Sequence, residues 1–215
     1  MARTSGPETR DKLIRAAEEV FAAQGVDGAQ LRDIVRLAGQ SNPSAVQYHF
    51  GSRTGLVEAV MAGRQARTDQ VLAPLLDRAA PDDVHELIAV LVRTESTELR
   101  SERGLRCLRI SAQLSHESGV RVRTPHPTLD GTAYWRLIER VEASPALAGL
   151  PEPVRLERLD LALTLIGAAL ADRARQYLDG VTPLTGEEFF LADLVETATA
   201  LLRAPVPASQ RDITT

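Results

Sequence analysis

Between Ala38 and Leu56 the chain reads AGQSNPSAVQYHFGSRTGL, and these positions hold much of its capacity for directional hydrogen bonding. Gln40, Ser41, Asn42, Ser44 and Gln47 are amides and hydroxyls that carry donors and acceptors on short stems. Tyr48 and His49 add an aromatic pair, and Arg36 and Arg53 add charge on either side. Such a set can read base edges in a major groove, where each base pair presents its own order of donors and acceptors. Charged groups beside it can take phosphates. The same residues permit blander roles. His49 beside Phe50 can be a hydrogen-bonded structural residue as readily as a phosphate contact, and Arg32 and Arg36 can be solvated surface charges.

Helix punctuation sets how these side chains are held. Thr9 can cap a first helix with an apolar stripe of Leu13, Ala16, Ala17, Val20 and Phe21, which Gly25 and the turn GVDG stop. Leu31, Ile34, Val35 and Ala38 give a second, short helix its apolar face, and Gly39 ends it. Asn42 is a good cap and Pro43 suits a first helical position, while Gly51 and Ser52 close the third helix and open a fourth. A turn of Gly39, Gln40 and Ser41 is too short for parallel helices, so the second and third must cross steeply, as in a helix-turn-helix. Ala45, Val46 and Phe50 then pack inward, leaving Ser44, Gln47, Tyr48 and His49 on or near the outside.

The chain has 215 residues, 44% of them hydrophobic, enough for a sizeable core. No apolar run approaches the roughly 20 residues of a membrane span, and no apolar leader opens the sequence, so a cytoplasmic location is expected. Cys107, the single cysteine, fits a small buried apolar residue and excludes a multi-cysteine metal site. His85, His116 and His126 lack ligand spacing, so no metal and no cofactor is expected. The net charge of −4 opposes a simple nucleic-acid reading. It conceals a gradient: through Arg67 nine basic residues face seven acidic ones, and beyond it sixteen face twenty-two.

These residues resemble the TetR-type bacterial transcriptional regulators over roughly Thr9 to Met61, through TRDKLIRAAEEVFAAQG, LRDIVRLAG and above all AVQYHFGSRTGL. The resemblance implies that the third helix is a recognition helix, that Tyr48, His49 and Arg53 grip phosphates or buttress it, and that a homodimer reads a pseudopalindromic operator in double-stranded DNA. Three positions depart from the pattern. Gln30 replaces the usual Ser or Thr cap, QSNPS is one residue longer than usual with Gln47 at the tyrosine position, and Gly55 replaces an acidic residue.

The remainder also reads as helix, at Pro81–Ser101, Gly104–Ser118, Leu129–Val141, Pro153–Tyr177 and Thr185–Arg203, the last opened by the capping-box spacing TGEE. The fold expected is therefore all-α: a helix-turn-helix domain over 1–53, a larger helical ligand-binding and dimerisation domain over 54–204, and a disordered tail over 205–215. Leu159, Leu163, Ile166 and Leu170, with Gly167 allowing close approach, are expected with Leu194, Ala198 and Leu201 at a dimer interface, as the family's intersubunit four-helix bundle implies. An intrachain core is the alternative. The resemblance further implies an effector cavity among the middle helices, for which Cys107, Ile110, Gln113, Leu114, His116, Tyr134, Trp135 and Ile138 are the candidates. Trp135 can equally be core packing.

The function expected is a ligand-responsive regulator, as a repressor. Two readings compete: a helical dimer that binds a small molecule or protein without DNA, and an enzyme on a helical scaffold. No Gly-rich phosphate loop, nucleophile elbow or H-E-x-x-H motif is present to favour the enzyme.

Overall fold

The computed structural model describes residues 6–42, 44–80, 83–114 and 118–206, and its long elements there are all α-helices. They are α1 (Gly6–Gln24), α2 (Leu31–Leu37), α3 (Ala45–Phe50), α4 (Arg53–Leu76), α5 (Val84–Ser96), α6 (Glu102–Gln113), α7 (Ala133–Glu142), α8 (Glu152–Leu178) and α9 (Glu187–Arg203). The left-handed residues needed to stop α1, α2 and α3 are Gly25, Gly39 and Gly51, at φ of 83°, 67° and 74°. Glycine takes this conformation without the penalty a Cβ would bring.

Two apolar cores result. The smaller holds Leu13, Ala17, Val20 and Phe21 of α1, Ile34 of α2, Val46 of α3 and Leu56 and Val60 of α4. Ile110 of α6 completes it from the far side. The larger is built by α4 to α9, from Leu72, Leu87, Leu91, Leu137, Leu159, Ile166, Leu170 and Ala198 among others. α4, which begins at Arg53, contributes to both. Cys107 is fully buried, and no helix among the described residues is long and apolar enough to cross a membrane.

Polar contacts fasten α6 beneath the first three helices. Glu18, almost wholly buried on α1, receives hydrogen bonds of 2.7–2.9 Å from Nε and Nη2 of Arg103. Arg106 lies 3.3 Å from Glu19, and the Val26 N–H donates to Gln113 Oε1 at 2.8 Å. A buried carboxylate needs such a partner, and a bidentate arginine gives the strongest one.

Several helix ends differ from the sequence reading. The first helix begins at Gly6, so Thr9 lies within it and caps nothing. The sixth starts at Glu102, where Ser101 Oγ accepts the Gly104 N–H, and ends at Gln113 rather than Ser118. TGEE forms no capping box: α9 is preceded by Gly186, and Thr185 serves Arg173 instead, with its carbonyl at 3.0 Å and its hydroxyl at 3.3 Å. Arg173 is buried and must find acceptors, which outweighs a local cap. Arg3, Pro43 and the tail from 207 onward lie outside the described residues.

The expected dimer residues are corrected most. Leu159, Ile166, Leu170, Leu194 and Ala198 are already buried within the single chain, and Leu201 packs against the same core. The stripe the sequence displays is the inward one, and the large apolar side chains that α8 and α9 leave outside are Leu161, half exposed, and Phe189, 63% exposed. Ile110→Ala should lower the unfolding free energy by about 2–5 kcal/mol, the usual cost of a large buried aliphatic. Urea titration of both chains measures it.

Candidate nucleic-acid interface and effector cavity

The third helix is short, and its two ends are held from outside. Asn42 Oδ1 accepts the Ser44 N–H at 2.9 Å, and the Ala45 N–H reaches the Asn42 carbonyl at 3.1 Å. At the far end Gly51 turns the chain, and Ser52 Oγ accepts the Gly55 N–H at 3.0 Å to open α4. Ala45 and Val46 are buried under α3, and Phe50 is half-buried with the Arg10 guanidinium 5.1 Å from its ring centre.

The polar face points away from this packing. Ser41, Asn42, Ser44 and Gln47 are exposed, and Tyr48 is 84% exposed. His49 is half-buried, its ring edge-on to that of Tyr48 at 4.9 Å. Gln40 is also half-buried, with a long 3.4 Å hydrogen bond from Nε2 to the Ala38 carbonyl. Arg36 extends into solvent from α2, 3.1 Å from Asp33, and Arg32 is exposed beside it.

Arg53 is turned inward. Its Nη1 donates to the Ala29 carbonyl at 2.7 Å and its Nη2 to the Val26 carbonyl, while its guanidinium lies 5.7 Å from the Phe21 ring centre. These donors satisfy the carbonyls of the loop between α1 and α2, so Arg53 braces the three-helix unit from the first turn of α4. Of the two roles the sequence left open to it, the geometry supports the buttress.

Gly55 has a steric reason. A Cβ there would lie 2.1 Å from the Phe50 carbonyl oxygen, far inside contact distance. The end of α3 is pressed onto the first turn of α4, and an acidic residue at 55 would force them apart.

Beneath this unit lies a cavity of about 150 Å³. From above it is closed by Thr54, Val57, Glu58 and Met61 of α4, and from one side by Ser111, Ala112 and Leu114 at the end of α6. Arg64 and Glu95 stand at its inner wall with Tyr134, and Leu163, Ile166 and Gly167 of α8 form its floor.

Of the cavity residues expected from the sequence, Leu114 and Tyr134 are in the lining. Trp135 and Ile138 line a smaller hollow with Arg123 and Glu142, and the indole N–H donates to Glu139 at 2.9 Å. Cys107 is covered by Arg67, whose Nη2 lies 3.5 Å from its sulfur, and burial pushes its thiol pKa up. Ile110 belongs to the smaller core and Gln113 to the Val26 turn, while His116 lies outside the described residues. The sequence reading missed Arg64, Glu95 and Gly167. An arginine spaced like an apolar position on a helix three residues beyond Met61 was the one available sign.

A family model described as bacterial regulatory proteins, tetR family, matches residues 13–60, which span the three-helix unit and the start of α4. Residues 13–60 are a TetR-family segment. Over 58 residues the chain is 48% identical to the HTH-type transcriptional regulator SrpR of Pseudomonas putida, covering 27% of each protein. It is 36% identical over 85 residues to the HTH-type transcriptional repressor NicS of P. putida, covering 39% of this chain and 40% of that one. The chain thus matches less than half the length of either relative.

The likeness of fold extends further than the sequence identity does. The fatty acid degradation regulator FadR of Bacillus halodurans matches 93% of this chain and 97% of its own at a TM-score of 0.59 and 16% identity. NalD of Pseudomonas aeruginosa matches 91% and 96% at 0.55 and 19%. At such identities the likeness is one of fold.

Gly55→Ala should destabilise the protein although alanine is the better helix former. Thermal unfolding reads the sign, and a gain in stability would mean that the contact with Phe50 relaxes freely.

Proposed function

We propose that the chain is a homodimeric transcriptional regulator, working as a repressor, that reads a pseudopalindromic operator through α3 and answers a small effector held in the 150 Å³ cavity. The observation that carries the reading is the outward, uncharged hydrogen-bonding face of α3, with Ser44, Gln47 and Tyr48 free of the packing that buries Ala45 and Val46. Gln47 offers both a donor and an acceptor to a base, the pairing suited to adenine. Ser41, Asn42, His49, Arg32 and Arg36 flank it and supply phosphate contacts. The relatives SrpR and NicS are named as transcriptional regulators, and NicS and NalD as repressors. A regulator that acts on DNA would work in the cytoplasm, by binding rather than by catalysis.

Effector control follows from what the cavity touches. Its roof is the start of α4, which Arg53 braces against the reading head, and one side is the end of α6, which Gln113 ties to the Val26 turn. A ligand that favours one placement of these helices shifts the population of reading-competent dimers by its difference in affinity for the two states. The dimer itself is assigned to the outer face of α8 and α9, where Leu161, Ala168, Phe189 and Ala192 are exposed. A twofold there carries two reading heads, and a palindromic site mirrors it.

Selection of bound duplexes from a random pool should return an inverted repeat. On that site Gln47→Ala should weaken binding by about 1–3 kcal/mol while leaving random duplex unaffected, and Arg36→Ala should weaken both and reduce the salt slope by about 1. Equal losses on both duplexes for Gln47→Ala would remove α3 as the reader. Phe189→Glu should convert the dimer to monomer in sedimentation and lower operator affinity with it, because a charge placed in an apolar contact is costly to desolvate.

A further inference from the structure

The inner wall of the cavity is built on a charge pair with unused hydrogen-bonding capacity. Arg64 and Glu95 are 4% and 7% exposed, and Arg64 Nη2 donates to Glu95 Oε2. A carboxylate facing a guanidinium commonly takes two parallel hydrogen bonds. Here the second is missing, because Arg64 Nε and Glu95 Oε1 are both buried without a partner. The orphaned Oε1 can only accept, so what answers it must bring an O–H or N–H. The terminal torsion of a glutamate is broad and soft, so a small turn presents this oxygen to the cavity that Glu95 lines.

Charge narrows the ligand. Arg64 is offset by Glu95, and Arg67, one turn along α4, is offset by Glu98 at 3.2 Å. Among the described lining residues no lysine or arginine is left unpaired to hold an anion, and Arg64 opposes a second cation. Glu58, the other lining carboxylate, is exposed to water. Tyr134 stands in the same wall, where burial raises its pKa further above the ordinary phenol value, so that its hydroxyl stays protonated and able to donate. Most of the remaining surface is apolar, from Val57, Met61, Leu91, Leu129 and Leu163, with Thr54, Gln65, Ser111, Ser118, His126 and Thr128 as its other polar residues. The volume of about 150 Å³ equals that of an engineered cavity, in another protein, that takes up benzene.

We propose that the cavity binds a neutral, one-ring hydroxyl compound whose O–H donates to the Glu95 carboxylate and whose oxygen accepts from the Tyr134 hydroxyl. This rests on the cavity being the effector site of the regulator proposed above, although the binding step itself requires no DNA. A hydroxyl is the smallest group that both gives and takes a hydrogen bond, and one ring fills the apolar remainder.

Calorimetry on the full chain with phenol as probe tests it, against toluene, benzoate and benzylamine at neutral pH. Phenol should bind saturably at one per chain, and the other three at least about tenfold more weakly. Tyr134→Phe, which keeps the ring and its packing, should weaken phenol by about tenfold and leave toluene unchanged. Glu95→Gln disturbs a buried pair and can unfold the chain, so Gly167→Met is the second variant. A Cβ at Gly167 meets nothing within 4 Å, so the longer side chain should fill the cavity and abolish phenol binding in a folded protein. Toluene binding as tightly as phenol, preference for benzoate or benzylamine, or phenol binding that survives Gly167→Met would each overturn the assignment. Gel shifts with phenol separate the two readings: phenol bound with operator affinity unchanged keeps the cavity chemistry and removes effector control. Operator binding without phenol binding does the reverse.

Discussion

The buried pair of Arg64 and Glu95 fixes where one long helix can lie, and most of the molecule is arranged around that helix. α4 begins by completing the small core with Leu56 and Val60 and ends in the large one with Leu72 and Leu76. Between these ends it crosses the interior at Arg64, where a charge cannot stand without an opposite charge beside it. Losing one partner of such a pair costs about 3–5 kcal/mol, although replacing both by apolar groups is often neutral. The pair is therefore better understood as a constraint on register than as a source of stability. Arg67 and Glu98 repeat it one turn later, so two arginines of α4 face two glutamates and the helix cannot slide or rotate cheaply.

A second attachment makes the arrangement a two-point one. α6 reaches the reading head through Arg103, Arg106, Gln113 and Ile110, a mixture of ion pairs, one amide contact and one buried aliphatic. The cavity lies between the two attachments and touches both. Polar links of this kind are directional, so a shift of either helix along its axis is carried to the loops at Val26 and Ala29, which Gln113 and Arg53 hold. A purely apolar seam would let the same shift dissipate in repacking.

Local punctuation was legible in the sequence because it is local. Gly25, Gly39 and Gly51 stop helices by their own backbone freedom, and Ser52 caps by its own hydroxyl. What depends on distant partners was not legible. The stripe of Leu159, Ile166 and Leu170 reveals that a face is buried without revealing whether this chain or a second copy buries it. Thr185 has the spacing of a cap, yet a buried arginine twelve residues earlier claims it. Arg53 stays open between phosphate contact and buttress until the carbonyls of Val26 and Ala29 are seen within its reach. The cavity lining was missed in part because a void is defined by what fails to meet, as at Gly167, and no residue type encodes that.

The departures from the family pattern bear on what α3 can recognise under the proposed reading. The segment before α3 is one residue longer than the family pattern, with the tyrosine at 48 rather than 47, and the end of the helix lies so close to α4 that a Cβ at 55 would meet the Phe50 carbonyl. Gln47 therefore occupies the turn where an aromatic would stand, and Tyr48 projects beside it, supported edge-on by His49. An amide with both donor and acceptor replaces a phenol that stacks or takes a phosphate, while the charges that position the head stay on α2 with Arg32 and Arg36. Under the proposed reading, α3 carries the sequence discrimination and α2 most of the charge attraction. In a chain of net charge −4, attraction depends on a few arginines, and the uncharged α3 must supply the difference between one duplex and another.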